Sequence, residues 1–262
     1  MSYLALYRKY RPTTFEEVAG QTKVVKILKN SIANSRLSHA YLFYGPRGTG
    51  KTSIAKLIAK LINCANPIDG NPCDKCPSCL ACLEKNNPDI IEMDAASNNG
   101  VEEIRKVIDT VGLMPNISKY KVYIIDEVHM LSTGAFNALL KTIEEPPAHV
   151  IFILATTEYY KVPETIISRC QCFSFERLAI DDIYSRLKYI VDQEKIKASD
   201  EVLKLIAKYA DGGLRDAIGT LDKLCAYSNE LTVQDFYELR GIVDEAFLQE
   251  FVTKLNQFDK DS

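Results

Sequence analysis

The sequence predicts an α/β fold, a parallel sheet wrapped by helices, followed by a small all-α domain. Three observations carry that prediction. Short apolar runs alternate with stretches of helical period up to about residue 177. One of those runs, Ala40–Tyr44, leads straight into the glycine-rich stretch Gly45–Thr52. Beyond residue 177 only the helical period remains. Strands that alternate with helices imply parallel pairing, because a parallel crossover needs a connection long enough to hold a helix.

In chain order, the basic and aromatic run Tyr7–Pro12 precedes an amphipathic stretch from Glu16 to Ile32. Ala40–Tyr44 is short and apolar, as a buried strand is. Past the glycine-rich loop, Ile54, Leu57, Ile58, Leu61 and Ile62 recur at helical spacing, with Lys56 and Lys60 directed away from that stripe. The segment Cys64–Cys82 holds Pro67, Gly70, Pro72 and Pro77 and is expected to be an irregular insertion. Asp89–Met93 reads as the second strand. Val101, Ile104, Val107, Ile108 and Val111 mark the next helix, with Ser97, Asn98 and Asn99 as its expected cap. Val122–Ile125 is a third strand and ends at Asp126. Phe136, Leu139, Leu140 and Ile143 belong to a helix that Pro146 and Pro147 stop. Val150–Ala155 and Cys172–Phe175 complete the sheet. Ile183, Leu187, Ile190, Val191, Val202, Leu205 and Ile206 then carry the helical period toward Leu224.

Composition bounds the function. With 47% hydrophobic and 26% charged residues the chain is too apolar for disorder. A net charge of −3 argues against a broad nucleic-acid footprint, so DNA would be met through a local patch or through partners. Arg8, Lys9 and Arg11 interrupt any apolar run near the start, so no secretion signal is read there. No run approaches the roughly 20 apolar residues of a membrane span. A cytoplasmic protein without membrane contact is expected, and in that compartment eight cysteines are not a disulfide framework.

The segment Gly45-Pro46-Arg47-Gly48-Thr49-Gly50-Lys51-Thr52 matches G-x-x-x-x-G-K-[ST] at every fixed position. Glycines allow a tight turn in which consecutive N–H groups face an anion, and the following helix adds the positive end of its dipole. The candidate nucleotide contacts therefore run from Gly45 to Ser53. Lys51 would reach the β- and γ-phosphates of ATP, and Thr52 would ligate Mg²⁺. Downstream, an apolar strand lifts Asp126 to the carboxyl edge of the sheet, where Asp126 would hold Mg²⁺ and Glu127 would orient or deprotonate the attacking water. Asp126-Glu127-Val128-His129 also has the form of a helicase DExH box. Helicases of that kind need two such domains and the chain has room for one, so His129 is expected to be a satisfied structural histidine.

Four thiols, Cys64, Cys73, Cys76 and Cys79, suit a closed tetrahedral Zn²⁺ shell with a structural role. Cys82 opens a second set, Cys73, Cys76, Cys79 and Cys82, with iron–sulfur spacing. Zinc on the first set is preferred because no redox partner motif accompanies the cysteines. Cys82 is then a spare thiol, and Cys170, Cys172 and Cys225 are core residues.

These motifs make the chain similar to the AAA+ ATPases and, among them, to the gamma/tau clamp-loader subunits of bacterial DNA polymerase III. Ser38–Gly45, Asp94-Ala95-Ala96-Ser97 and Phe136–Pro146 are phrases of that family, and the likeness spans nearly the whole chain. The resemblance implies that Tyr7, Arg11 and Pro12 lie against the adenine and that Thr157, at the end of Leu154–Thr157, senses the γ-phosphate. It implies that Arg169, in Ser168-Arg169-Cys170, reaches the ATP of a neighbouring subunit. It implies that Arg215, in Gly213-Leu214-Arg215-Asp216, reaches the phosphates of its own subunit.

The resemblance also implies the zinc module and a domain order: 1–177 as the nucleotide-binding domain with the zinc module at about 64–82, 178–242 as the lid, and 243–262 as the start of a helical collar. The implied activity is ATP hydrolysis that loads a sliding clamp onto primed DNA within a DNA polymerase holoenzyme. The implied partners are delta, delta prime and further gamma/tau copies, the sliding clamp, and primed-template DNA through the assembled complex. A silent scaffold is opposed by the intact Lys51, Thr52, Asp126 and Glu127. A DNA-binding zinc module is opposed by the acidic charge balance, and a branch-migration helicase by the cysteine insertion.

Overall fold

Alternate residues of five strands feed opposite faces of one sheet in the computed structural model, which describes residues 3–242 and 245–256. The chain forms two units. One is Arg11–Leu178, and the other joins residues 3–10, including the single turn α1 (Leu6–Lys9), to the described residues from Ala179 onward.

In the first unit β1 (Ala40–Tyr44), β2 (Ile90–Asp94), β3 (Lys121–Asp126), β4 (Val150–Thr156) and β5 (Gln171–Ser174) lie parallel in the order β2-β3-β4-β1-β5. The helices in this unit are α2 (Thr22–Ala33), α3 (Lys51–Ile62), α4 (Pro77–Leu83), α5 (Val101–Val111), α6 (Thr133–Glu144) and the short α7 (Glu164–Ile167). Tyr41, Phe43, Val122, Ile124 and Ile153 form one core layer with Leu28 of α2 and Ile54 and Ile58 of α3. Leu42, Tyr123, Ile125, Phe152 and Leu154 form the other with Ile104 of α5 and Phe136, Leu139 and Ile143 of α6. Each such side chain contributes about 1.5–3 kcal/mol by leaving water. A sheet covered on both faces explains why its strands read as unbroken apolar runs.

The strand bounds differ from the sequence reading by at most one residue, and β1 agrees at both ends. Helix starts differ more. α2 begins at Thr22, not Glu16, because Gly20 and Gln21 both take left-handed backbone (φ 61° and 55°). α5 is not capped by Ser97, Asn98 or Asn99; its N-cap is Gly100, and Glu102 and Glu103 compensate the dipole in the first turn. Pro77 starts a helix instead of breaking one, since the first helical position needs no N–H partner. Lys60 does not point away from the core: it is 7% exposed and pairs with Asp74 at 2.5 Å.

The second unit holds α8 (Ile180–Glu194), α9 (Asp200–Tyr209), α10 (Leu214–Tyr227), α11 (Val233–Arg240) and α12 (Glu245–Asn256). Its core includes Ile183, Leu187, Ile190, Val202, Leu203, Ile206, Leu221, Leu224 and Phe236, all at most 1% exposed. Ser199 caps α9, and Thr232 with Asp235 forms a capping box on α11. Two short strands, β6 (Lys197–Ala198) and β7 (Glu230–Leu231), pair in parallel, so this unit is not purely helical.

The first residues are strapped to these helices. The Tyr3 hydroxyl donates to Asp222 and the Tyr10 hydroxyl to Glu194, while Lys9 pairs with Glu194 at 2.6 Å. Of the collar segment expected over 243–262, residues 243–244 and 257–262 lie outside the described residues, and α12 covers the remainder. Among the described residues no helix is long and apolar enough to cross a membrane.

Candidate nucleotide site and cysteine centre

β1 delivers the chain to Gly45, whose φ of +142° and surroundings admit no side chain: a Cβ there would lie 2.1 Å from the carbonyl oxygen of Phe175. The loop then turns through Pro46, exposed Arg47, Gly48, Thr49 and Gly50 into α3. Thr49 is 2% exposed and donates its hydroxyl to Pro46 O at 2.8 Å, which braces the loop from inside. Lys51 and Ser53 fall in the first turn of α3, where the unpaired N–H groups and the dipole favour an anion.

Lys51 is 6% exposed, and its Nζ donates to Gly45 O at 2.8 Å and Pro46 O at 2.7 Å. Burial pushes its amine below the ordinary lysine value, and the charges of Glu127 and Asp126 oppose that shift. Thr52 Oγ1 donates to Asp126 Oδ2 at 2.6 Å, so the two oxygens assigned to Mg²⁺ are neighbours. Two hard oxygen donors beside a phosphate cradle fit that ion, which ordinarily takes one or two protein oxygens and fills its shell from phosphate and water.

Glu127 follows on left-handed backbone (φ 49°), an unusual conformation for this residue type. Its Oε2 accepts from Thr157 N at 3.2 Å and Thr157 Oγ1 at 3.0 Å. Lys51, Thr52, Asp126, Glu127 and Thr157 are thus gathered by three adjacent strand ends, those of β1, β3 and β4. His129 is buried with both ring nitrogens engaged: Nδ1 is 2.9 Å from Thr156 Oγ1 and Nε2 is 3.2 Å from Glu158 Oε1. The contacts of Thr156 and Glu158 had no sequence signal beyond their closeness to Thr157.

Arg169 follows α7, where its guanidinium pairs with Glu144 at 2.6 Å and donates to Thr165 O at 2.7 Å. Arg11 is exposed and Pro12 half-buried in the α/β unit. Tyr7 and Arg215 meet within the helical unit, the guanidinium lying 5.2 Å from the ring centroid. Arg8 first, and Arg215 after it, hold the Tyr7 hydroxyl below its ordinary pKa.

In the insertion, the Sγ atoms of Cys64, Cys73, Cys76 and Cys79 lie within 4.8 Å of one another. A tetrahedral zinc shell with Zn–S near 2.3 Å has edges of about 3.8 Å, so this donor set fits it. Cys73 N donates to Cys64 Sγ at 3.2 Å and Cys76 N to Cys73 Sγ at 3.3 Å. The N–H groups of Lys75 and Cys76 lower the Cys73 thiol to about 6, whereas burial pushes Cys79 upward. Cys82 is not part of this cluster; its sulfur accepts from the Asn87 amide at 3.3 Å, and the iron–sulfur grouping is not assembled among the described residues. Cys170, Cys172 and Cys225 are partly buried instead of fully so.

The comparisons with known proteins agree with this architecture. A family profile described as DNA polymerase III, delta subunit, matches residues 20–179, well over half of the chain. A second, described as DNA polymerase III clamp loader subunit, ATPase lid domain, matches residues 182–230. DNA polymerase III subunit tau of Bacillus subtilis is 52% identical over 258 residues, covering 98% of this chain and 46% of that protein. DNA polymerase III subunit gamma of Buchnera aphidicola (subspecies Schizaphis graminum) is 45% identical over 251 residues, covering 95% of this chain and 69% of that subunit. The chain therefore spans less than half of the B. subtilis relative. The RuvB Holliday junction branch migration motor of Thermotoga maritima superposes with a TM-score of 0.61 at 19% identity, covering 87% of this chain and 71% of that one, which is a likeness of fold. With a P-loop, an Asp-Glu strand end and a helical lid on one chain, and with that identity, the protein belongs to the gamma/tau family of DNA polymerase III clamp-loader subunits.

Proposed function

We propose that this chain is the ATP-hydrolysing motor segment of a clamp loader, which spends nucleotide to place a sliding clamp on primed DNA. The observation that carries the reading is the convergence of Lys51, Thr52, Asp126, Glu127 and Thr157 at one sheet edge. Mg²⁺ held by Thr52 and Asp126 would supply charge neutralisation on the phosphates. Lys51 exchanges its two carbonyl acceptors for phosphate oxygens. Thr157 has a single hydroxyl proton, so engaging the γ-phosphate requires it to leave Glu127, which is then free to orient water. Arg169 is proposed to leave Glu144 for the nucleotide of an adjacent subunit, making hydrolysis depend on assembly. Tyr7, Arg11, Pro12 and Arg215 are proposed nucleotide contacts by likeness to the family. Zn²⁺ on Cys64, Cys73, Cys76 and Cys79 would hold the insertion folded, with all four positions filled and none left for substrate.

The test is ATP turnover by the complete subunit, alone and then with delta, delta prime, sliding clamp and primed DNA. Weak turnover that rises sharply with the full set, and falls about 1,000-fold on Arg169→Ala, is expected. Turnover that ignores clamp and partners but tracks duplex unwinding overturns the reading and moves the chain toward the branch-migration motors whose fold it shares.

A further inference from the structure

His129 is a buried titratable side chain at the phosphate edge for which the proposed reaction has no task. Its ring is 5% exposed and stands between two carboxylates, with Nδ1 3.4 Å from Glu127 Oε2 and Nε2 3.2 Å from Glu158 Oε1. Thr156 Oγ1, 2.9 Å from Nδ1, accepts in turn from Glu158 N at 3.0 Å. Glu158 also takes the Tyr160 hydroxyl at 2.6 Å and Lys161 Nζ at 2.7 Å. The ring is therefore fixed from its outer side by a carboxylate that is itself anchored.

Its inner side faces the group that matters. Glu127 Oε2 meets three atoms: Thr157 N, Thr157 Oγ1 and His129 Nδ1. Glu127 stands on left-handed backbone (φ 49°), and these three contacts hold its carboxylate where it is. Of the three, the Thr157 hydroxyl is the one that a phosphate would claim. Among the described residues the imidazole is then the side-chain contact left to Oε2, at the stage when the direction of the carboxylate decides where water stands.

We propose that His129, oriented by Glu158, is a positioning residue for Glu127 that holds the carboxylate once the Thr157 hydroxyl has turned to the nucleotide. The proposal rests on the reading of Glu127 as the group that orients the attacking water. Nδ1 is held at hydrogen-bond distance from Thr156 Oγ1, which fixes the plane of the ring, and the two carboxylates stand beside it at ion-pair distance, Glu158 on the outer side and Glu127 on the inner. A misplacement of about 1 Å in such a group costs roughly 100-fold in rate.

The experiment uses the complete subunit assembled with its partner subunits, clamp and primed DNA. It measures kcat and KM for ATP, with nucleotide affinity read from a fluorescent ATP analogue. Glu127→Gln serves as the reference and is expected to bind nucleotide and to turn over about 1,000-fold more slowly than wild type, a residual rate that remains measurable. His129→Ala is expected to lower kcat about 30-fold with KM and affinity within about two-fold. Glu158→Gln, which keeps the shape and removes the charge, is expected to lower kcat about three-fold. Adding His129→Ala to Glu127→Gln is expected to cost nothing further, because the two act as one unit. A slow Glu127→Gln beside His129→Ala and Glu158→Gln variants within two-fold of wild type overturns the positioning role alone. So does a loss that multiplies in the double variant, or one in which affinity falls with kcat. Wild-type turnover by Glu127→Gln overturns the role of Glu127 and the positioning role with it. Should His129→Ala not fold, Glu158→Gln and its combination with Glu127→Gln decide by the same criteria.

Discussion

The phosphate edge and the cysteine cluster belong to the same α/β unit, yet they stand ready for ligands in opposite ways. At the edge, the side chains of Lys51, Thr52 and Glu127 already have partners that a ligand must displace: Lys51 has two carbonyls, Thr52 has Asp126, and Glu127 has Thr157. In the cluster the thiols face one another, and their bonds come from backbone N–H groups that a metal would leave in place. Exchangeable pairs suit a ligand that comes and goes. Converging thiols suit one that stays.

That contrast breaks first, if it breaks, at Lys51. Lys51→Ala is expected to weaken ATP binding by about 100-fold while the melting temperature stays within about 2 °C, since the edge contributes exchange and not cohesion. Isothermal calorimetry beside a thermal melt checks both halves, and a collapsed melt would mean the edge is structural after all. Cys79→Ser should do the reverse. Its fully buried thiol is one of four, and losing it should abolish bound zinc and lower the melting temperature by about 10 °C. ATP affinity of the material that remains folded should hold within about three-fold. Metal analysis by mass spectrometry gives the stoichiometry, and unchanged zinc would remove Cys79 from the set.

Lys60→Met probes how the insertion is tied to α3. Asp74 Oδ1 is buried with no donor well aligned on it, so its pairing with Lys60 is Coulombic, and half of that pair is open to solvent. A loss of about 1–2 kcal/mol, read as roughly 4 °C in the melt, is expected with zinc retained. Cys82→Ser is the smallest change: zinc content unchanged and stability within about 0.5 kcal/mol. Zinc loss in that variant would return the second cysteine set to consideration.

Much of this was legible in the chain because the strong signals are local. β1, with its glycine-rich continuation, needed nothing beyond five apolar residues and a motif. What escaped was decided by tertiary partners. Lys60 belongs to a helix whose polar positions should face water, and Asp74, some way along the chain, draws it inward. Pro77 read as a breaker because position within a helix, first turn or interior, is invisible until the helix start is known. Glu16–Gln21 carries apolar residues at plausible spacing, but two successive left-handed residues end any helix there. β6 and β7 are two residues each, too short for a period to register. At the site, the motif residues were all readable, whereas the pairing of Glu127 with Thr157 depends on the register of β3 beside β4 and on the turns that follow them.

One feature of the sheet bears on timing. β5 hydrogen-bonds along β1, Tyr41 opposite Gln171 through Tyr44 opposite Ser174, and Arg169 lies two residues before β5 begins. The strand that ends in this subunit's own phosphate loop and the arginine proposed for its neighbour are therefore mounted on one stiff plate. In a row of such copies, a tilt that seats one nucleotide would swing the arginine aimed at the next.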